Sequence, residues 1–145
     1  MKRSLISCAA LATSLCALPA WAQNATLDAA AQEAGAVVTP SGLVFRSLKA
    51  GSGASPRATD TVRVHYRGTF PDGREFDSSY ARGTPIEFPL NRVIPCWTEG
   101  VQRIQVGGQA KLTCPSRIAY GERGAGGVIP PNATLIFEVE LLGVR

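Results

Sequence analysis

Alternation of apolar and polar residues is the feature that most narrows the folds open to this chain. Val62, Val64 and Tyr66 alternate with polar or charged residues, and a second alternating run lies near the end of the sequence. Successive side chains of a strand point to opposite faces, so this pattern predicts strands with one buried face. The buried positions of the last predicted strand are Leu135, Phe137, Val139 and Leu141. Shorter runs of the same kind and the turn Pro71-Asp72-Gly73 predict further antiparallel strands.

One segment changes to a helical period. Trp97, Val101 and Ile104 fall at i, i+4 and i+7, between Pro95 and the stop at Gly107-Gly108. A short helix is therefore expected to cover the apolar face of the sheet. The predicted class is α+β, with an antiparallel sheet of five to six strands and one short helix.

The first residues have the composition of an export signal. Lys2 and Arg3 precede an apolar run over residues 5 to 18, and Ala20-Trp21-Ala22 is a small-x-small cleavage pattern. A transmembrane helix is the alternative, but it needs about 20 apolar residues, and Pro19 ends this run early. We expect a signal peptide over residues 1 to 22, and no stable membrane anchor. The expected compartment is the periplasm, with full secretion as the alternative.

The rest of the chain has the length of one domain. Residues 23 to 40 form an alanine-rich segment that predicts at most a short helix or a mobile arm, and residues 41 to 145 form the domain. Basic residues are scattered, which does not favour nucleic-acid binding. With one histidine and no acidic cluster, the sequence offers no ligand set for zinc or calcium. We expect no metal site and no cofactor.

Two cysteines, Cys96 and Cys114, remain after removal of the predicted signal peptide. Two cysteines in an exported domain suggest one disulfide bond. Cys114 is predicted to point inward from a strand, and Cys96 begins the helix that should cover the same sheet. A catalytic dithiol is the alternative, but the sequence has no Cys-x-x-Cys motif. A structural disulfide is therefore the prediction.

Several short motifs resemble one protein family. They are Val64-His65-Tyr66-Arg67-Gly68, Asp72-Gly73-Arg74-Glu75-Phe76-Asp77-Ser78-Ser79, Ala119-Tyr120-Gly121, Ile129-Pro130-Pro131 and the run over residues 135 to 142. Together they resemble the FKBP-type peptidyl-prolyl isomerases, over about residues 41 to 144. The resemblance implies that the sheet forms a half-barrel wrapped around the short helix.

An aromatic pocket follows from the resemblance and from the chemistry of the side chains. Trp97, the first inward residue of the helix, would form a flat floor for a proline ring. Tyr66, Phe76 and Phe137 would form the walls. Ordinary core packing is the alternative, but the polar tips of Tyr66, Trp97 and Tyr120 favour a lined cavity. Further substrate-binding positions that the resemblance implies are Ile86, Val93, Ile94, Val128 and Ile129.

Individual roles also come from the resemblance. It implies that the backbone N–H of Ile94 binds a substrate carbonyl and that the Tyr120 hydroxyl donates to the bound peptide. Asp77 resembles the family's pocket carboxylate and, with Tyr120 and Trp97, completes the expected catalytic set. The alternative for Asp77 is an acid at a hairpin end, bonded to nearby backbone or to an arginine. Ile86 stands where well-known family members carry a phenylalanine, so macrolide binding is expected to be weaker.

The predicted function is peptidyl-prolyl cis-trans isomerisation. The sequence contains no evident nucleophile-base pair, and rotation about an Xaa-Pro bond needs none. The expected partners are proline-containing polypeptides that are unfolded or folding after export, and macrolide inhibitors such as rapamycin and tacrolimus. One alternative is a proline-peptide binding module or chaperone with little turnover. Another is an exported β-rich adhesion or structural domain, which leaves the pocket aromatics unexplained.

Overall fold

The computed structural model of the protein describes residues 20–145, with the side chains of the first helix described from residue 25 onward. The predicted signal peptide lies almost wholly outside these residues. The helices are α1 (Ala20–Ala31), α2 (Ser79–Arg82) and α3 (Pro95–Val101). The strands are β1 (Ala36–Val38), β2 (Val44–Lys49), β3 (Thr61–Thr69), β4 (Glu75–Ser78), β5 (Ile86–Pro89), β6 (Gln109–Cys114) and β7 (Leu135–Val144). None of the helices described is long and apolar enough to cross a bilayer.

The seven strands within residues 20–145 join one antiparallel sheet. Its order is β1-β2-β6-β7-β3-β4, and β5 pairs with β3 beside this path. β3 and β7 run side by side at the centre, with Tyr66 opposite Val139 and Gly68 opposite Phe137. Their buried residues alternate with more exposed ones, as the sequence pattern predicted. The α+β class and the antiparallel sheet are confirmed.

The strand number exceeds the predicted five to six because the N-terminal arm contributes β1. Val37 pairs with Phe45 at the edge of the sheet, and a three-residue strand is too short to show alternation in the sequence. The arm also packs through α1, whose Ala30 is buried. Just beyond α1, Glu33 accepts hydrogen bonds from Lys111 and Arg46 on the outer face of the sheet, each at 2.7 Å. The arm is thus attached to the domain.

Helix α3 covers the inner face of the sheet. Pro95 occupies its first turn, where a missing N–H costs nothing, and Cys96, Trp97 and Val101 are buried beneath it. The approach is close, because a Cβ at Gly100 would lie 2.8 Å from both terminal methyl groups of Leu112. This packing fixes the helix that carries Trp97.

Candidate functional site

A cavity of about 470 Å³ lies where the inner face of the sheet meets α3. Its volume falls in the range of small-ligand sites. Strands β3, β4, β5 and β7 supply walls, and the segment before α3 supplies part of the rim. The lining residues are Tyr66, Phe76, Asp77, Phe88, Arg92, Val93, Ile94, Trp97, Tyr120 and Phe137.

Three aromatic rings surround Trp97. Tyr66 and Phe137 meet it edge-on, with ring centroids 5.1 and 5.3 Å away, and Phe88 lies tilted at 5.3 Å. Edge-to-face packing is the favoured arrangement for aromatic pairs. Trp97 is 4% exposed, and its Nε1 has no hydrogen-bond partner among the described residues. The indole is therefore held by packing alone, as a rigid apolar surface.

The wall formed by Phe76 and Phe137 depends on a glycine. The two rings meet edge-on at 5.6 Å, and Gly68 lies beneath them on β3. A Cβ at Gly68 would come within 2.5 Å of Phe76 Cζ and 3.1 Å of Phe137 Cε1. Only a residue without a side chain allows this packing.

Substitution of Gly68 by alanine is expected to displace both rings. We expect a loss of about 1–3 kcal/mol in the free energy of unfolding, together with weaker peptide binding in the cavity. Gly143→Ala in β7 is the matched control, because a Cβ there meets nothing within 4 Å. Denaturant unfolding of both variants tests the prediction, and equal stability of the two would contradict it.

Asp77 forms a polar network at the edge of the cavity. The Tyr66 hydroxyl donates to Asp77 Oδ2 and Arg82 Nη1 donates to Asp77 Oδ1, while Arg82 Nη2 donates to the Tyr66 hydroxyl at 3.2 Å. Burial by itself would raise the pKa of Asp77, but the hydrogen bonds from Tyr66 and Arg82 hold this pKa below its ordinary value. The carboxylate is therefore ionised near neutral pH. Asp77 lines the cavity and also pairs with an arginine, and its role toward a bound peptide remains a prediction.

This lowered pKa predicts a specific acid dependence of stability. The stabilising contribution of Asp77 is complete above its unfolded pKa of 3.8, and it is lost as the pH falls through the lower folded value. The effect is at most about 1 kcal/mol, because the Asp77 side chain is 39% exposed. Between about pH 5 and pH 2, wild type should lose more stability than Asp77→Asn. Unfolding midpoints that fall in parallel over this range would contradict the prediction.

The disulfide predicted from the sequence is present. Cys96 and Cys114 are bonded, with their Cα atoms 5.9 Å apart, and both residues are fully buried. The bond joins the first turn of α3 to the end of β6. Complete burial does not suit a catalytic dithiol, which needs an accessible thiolate.

Two groups at the rim have unused hydrogen-bonding capacity. The Ile94 N–H donates to no atom of the described residues. Tyr120 is 41% exposed, and its hydroxyl has no hydrogen-bond partner in residues 20–145. Val93 lines the cavity beside Ile94. These are the positions at which the family resemblance implied donors to a bound peptide.

Three predicted substrate-binding residues do not line the cavity. Ile86 is half-buried in β5, and the ring that reaches Trp97 from this strand is Phe88, two residues further on the same face. Ile129 is buried, with its backbone bonded to Ala125. Val128 is 55% exposed on the loop before β7. Any contact of these residues with substrate remains a prediction.

Sequence reasoning also missed three residues of the site. Phe88 and Arg92 line the cavity, and Arg82 pairs with Asp77. Phe88 could have been found from the sequence, because Ile86 and Phe88 lie on either side of the polar Glu87 and so share one face of the strand, whereas neither arginine lies in a recognisable pattern. His65 does not line the cavity, and its Nδ1 lies 2.8 Å from Ser79 Oγ.

Comparison with known proteins identifies the family. A model of the FKBP-type peptidyl-prolyl cis-trans isomerases matches residues 53–142. The chain is 56% identical over 119 residues to the FKBP-type isomerase FkpA of Aeromonas hydrophila, covering 82% of this chain and 44% of the relative. It is 54% identical over 118 residues to the FKBP-type 22 kDa isomerase of Escherichia coli, covering 81% and 57%. The chain belongs to the FKBP-type peptidyl-prolyl cis-trans isomerase family.

Solved structures agree with this assignment. The crystal structure of FkpA from Escherichia coli superposes with a TM-score of 0.84 at 46% identity, covering 86% of this chain and 58% of that one. A peptidyl-prolyl isomerase from Pseudomonas syringae gives a TM-score of 0.80 at 35% identity, covering 86% and 92%. The chain spans less than half the length of the Aeromonas relative.

Within the described residues, no group of three or more His, Cys, Asp or Glu side chains could hold a metal ion.

Proposed function

We propose that the protein is a peptidyl-prolyl cis-trans isomerase that accelerates Xaa-Pro rotation in exported, folding polypeptides. The observation that carries the proposal is the cavity over Trp97, walled by aromatic rings and bordered by the unpaired Ile94 N–H and Tyr120 hydroxyl. A proline ring requires an apolar surface, and its flanking peptide requires donors. Both are present within one site.

The barrier to prolyl rotation comes from amide resonance. The planar amide is charge-separated, and the twisted bond is less so. An apolar pocket therefore favours the twisted bond over the planar one, relative to water. Trp97 and the surrounding rings provide this environment without any covalent step.

Hydrogen bonds would orient the peptide around the rotating bond. We assign the Ile94 N–H to a substrate carbonyl and the Tyr120 hydroxyl to the flanking backbone. Asp77, held as a carboxylate by Tyr66 and Arg82, would set the local polarity and position the ligand. None of these groups is required to transfer a proton.

A direct assay tests the activity. The oxidised protein, residues 23 to 145, is given short Xaa-Pro peptides, and their cis-to-trans relaxation is followed with and without rapamycin. Acceleration that rapamycin abolishes supports both the isomerase and the macrolide proposals, whereas acceleration that resists rapamycin supports only the first. Binding of the peptides without acceleration would contradict the isomerase and favour the binding-module alternative.

The location proposed for this activity is the periplasm, after removal of residues 1 to 22. The export-signal composition of the first residues supports it, as does the presence of a disulfide, which persists in oxidising compartments. Expression of the full chain in a bacterium with two membranes provides the test. We expect the protein to be recovered from the periplasmic fraction with the mass of a chain that begins at Gln23. An uncleaved product in the cytoplasm would contradict the proposal.

A further inference from the structure

Two charged side chains line the cavity, and only one of them is compensated within the protein. Asp77 is paired with Arg82 and accepts from Tyr66. The exposed side chain of Arg92 has no hydrogen-bond or ion-pair partner among residues 20–145. The cavity therefore presents one uncompensated positive charge.

Nearby charged groups do not neutralise Arg92. Glu87, on the adjacent strand β5, is paired with Arg145 at 2.8 Å. Glu122 and Arg123 follow Tyr120 in the chain, but neither lines the cavity. Elsewhere in the described chain, six basic side chains form ion pairs with carboxylates. They are Arg46, Arg67, Arg74, Arg82, Lys111 and Arg145. Other basic side chains, such as Arg63, also lack an ion pair, so what distinguishes Arg92 is its place in the lining of the cavity.

The backbone beneath Arg92 is firmly anchored. Arg92 ends the short 3-10 turn Leu90–Arg92, whose Leu90 is fully buried. The Thr98 hydroxyl donates to the Leu90 carbonyl at 2.7 Å, and the Leu90 N–H donates to the Asp60 carbonyl at 2.9 Å. Arg92 therefore keeps its charge at the rim, two residues before Ile94.

We propose that Arg92 makes the site select polypeptides that carry a carboxylate side chain next to the proline. This inference rests on the proposed function, because Ile94 is assigned there to the substrate carbonyl. A guanidinium pairs with a carboxylate through two parallel hydrogen bonds. An exposed pair of this kind is worth up to roughly a fivefold change in affinity. A lysine at the same substrate position meets repulsion instead.

The test compares three peptides that differ only in the residue before proline, which is glutamate, glutamine or lysine. A second set carries the same three residues after proline. In wild type at low salt, kcat/KM for a glutamate peptide in at least one set should exceed that for its lysine counterpart by about tenfold, from attraction and repulsion together. The ratio should shrink toward one at high salt, because exposed charges are screened.

Three variants assign the preference to one side chain. Arg92→Gln should bring the glutamate-to-lysine ratio close to one, and Arg92→Lys should retain part of it. Arg63→Gln is the matched control, because Arg63 is exposed on β3 and does not line the cavity. It removes the same charge from the molecule and should leave the ratio unchanged.

Equal ratios for wild type and Arg92→Gln would overturn the inference while leaving the isomerase proposal intact. If wild type accelerated none of the peptides, the isomerase proposal would fail instead. The same peptides and variants would then be compared by dissociation constant. A glutamate preference that disappears in Arg92→Gln would still support the inference, and its absence would overturn it.

Discussion

Replacement of Trp97 by alanine is expected to lower kcat/KM for an Xaa-Pro peptide by about 100-fold, equivalent to about 2.7 kcal/mol of transition-state stabilisation. The floor of the cavity disappears with the indole, and water can then solvate the twisted amide. At about 25 cal/mol per Å², loss of roughly 100 Å² of apolar contact with the proline accounts for an effect of this size. Peptide isomerisation kinetics give the measurement.

The same substitution is expected to destabilise the fold. Trp97 is 4% exposed and packs against three rings, so its truncation should cost about 3–5 kcal/mol. Trp97→Phe keeps an aromatic ring and should lose less stability and less activity. It provides a folded variant if the alanine variant does not fold.

Leu141→Ala separates the two effects. Leu141 is fully buried in β7 and does not line the cavity. Its truncation should lower the free energy of unfolding by about 2–5 kcal/mol. We expect it to keep most of the wild-type kcat/KM at a temperature where it is folded. Similar losses of kcat/KM in the Leu141 and Trp97 variants would attribute the activity to general stability and contradict a specific floor.

Removal of the Cys96–Cys114 disulfide is expected to lower the free energy of unfolding by about 3 kcal/mol. The two cysteines are 18 residues apart in the chain. In the chain-entropy model, a closed loop of this length lowers the conformational entropy of the unfolded chain enough to stabilise the fold by about 3 kcal/mol. The thermal midpoint should fall by roughly 10 °C. Denaturant and thermal unfolding of Cys96→Ala/Cys114→Ala, compared with the oxidised wild type, provide the measurement.

Activity should respond differently from stability in this variant. Trp97 is held by the rings of Tyr66, Phe88 and Phe137, which the substitution leaves in place. We therefore expect kcat/KM to remain near the wild-type value while the variant is folded. Added reductant should lower the unfolding midpoint of wild type but not that of the cysteine-free variant. An unchanged midpoint after removal of the bond would show that the disulfide does not stabilise the fold.

Strand alternation made the centre of the fold predictable. Tyr66 and Phe137 belong to long strands buried on one face, so their inward direction follows from the two-residue period. Trp97 was predictable because proline before it and glycine after it mark the ends of a short helix. These three residues provide the floor and two walls of the cavity.

Short-range patterns could not reveal the rest. β1 is too short to alternate, and its place at the sheet edge depends on pairing with β2, which precedes β6 by some 60 residues in the chain. The contact of Arg82 with Asp77 depends on the path of α2. Arg92 lies at the rim of the cavity because its turn is tied to Asp60 and Thr98. Such side-chain positions arise from tertiary contacts, and no local propensity encodes them.

The position of Trp97 also gives the protein an internal optical probe. The sequence has two tryptophans, Trp21 and Trp97, and the first would leave with the proposed signal peptide. All indole fluorescence of residues 23 to 145 would then originate at the cavity floor. A peptide or macrolide entering the site would displace water from that ring and change its emission, so occupancy could be followed in solution without a label.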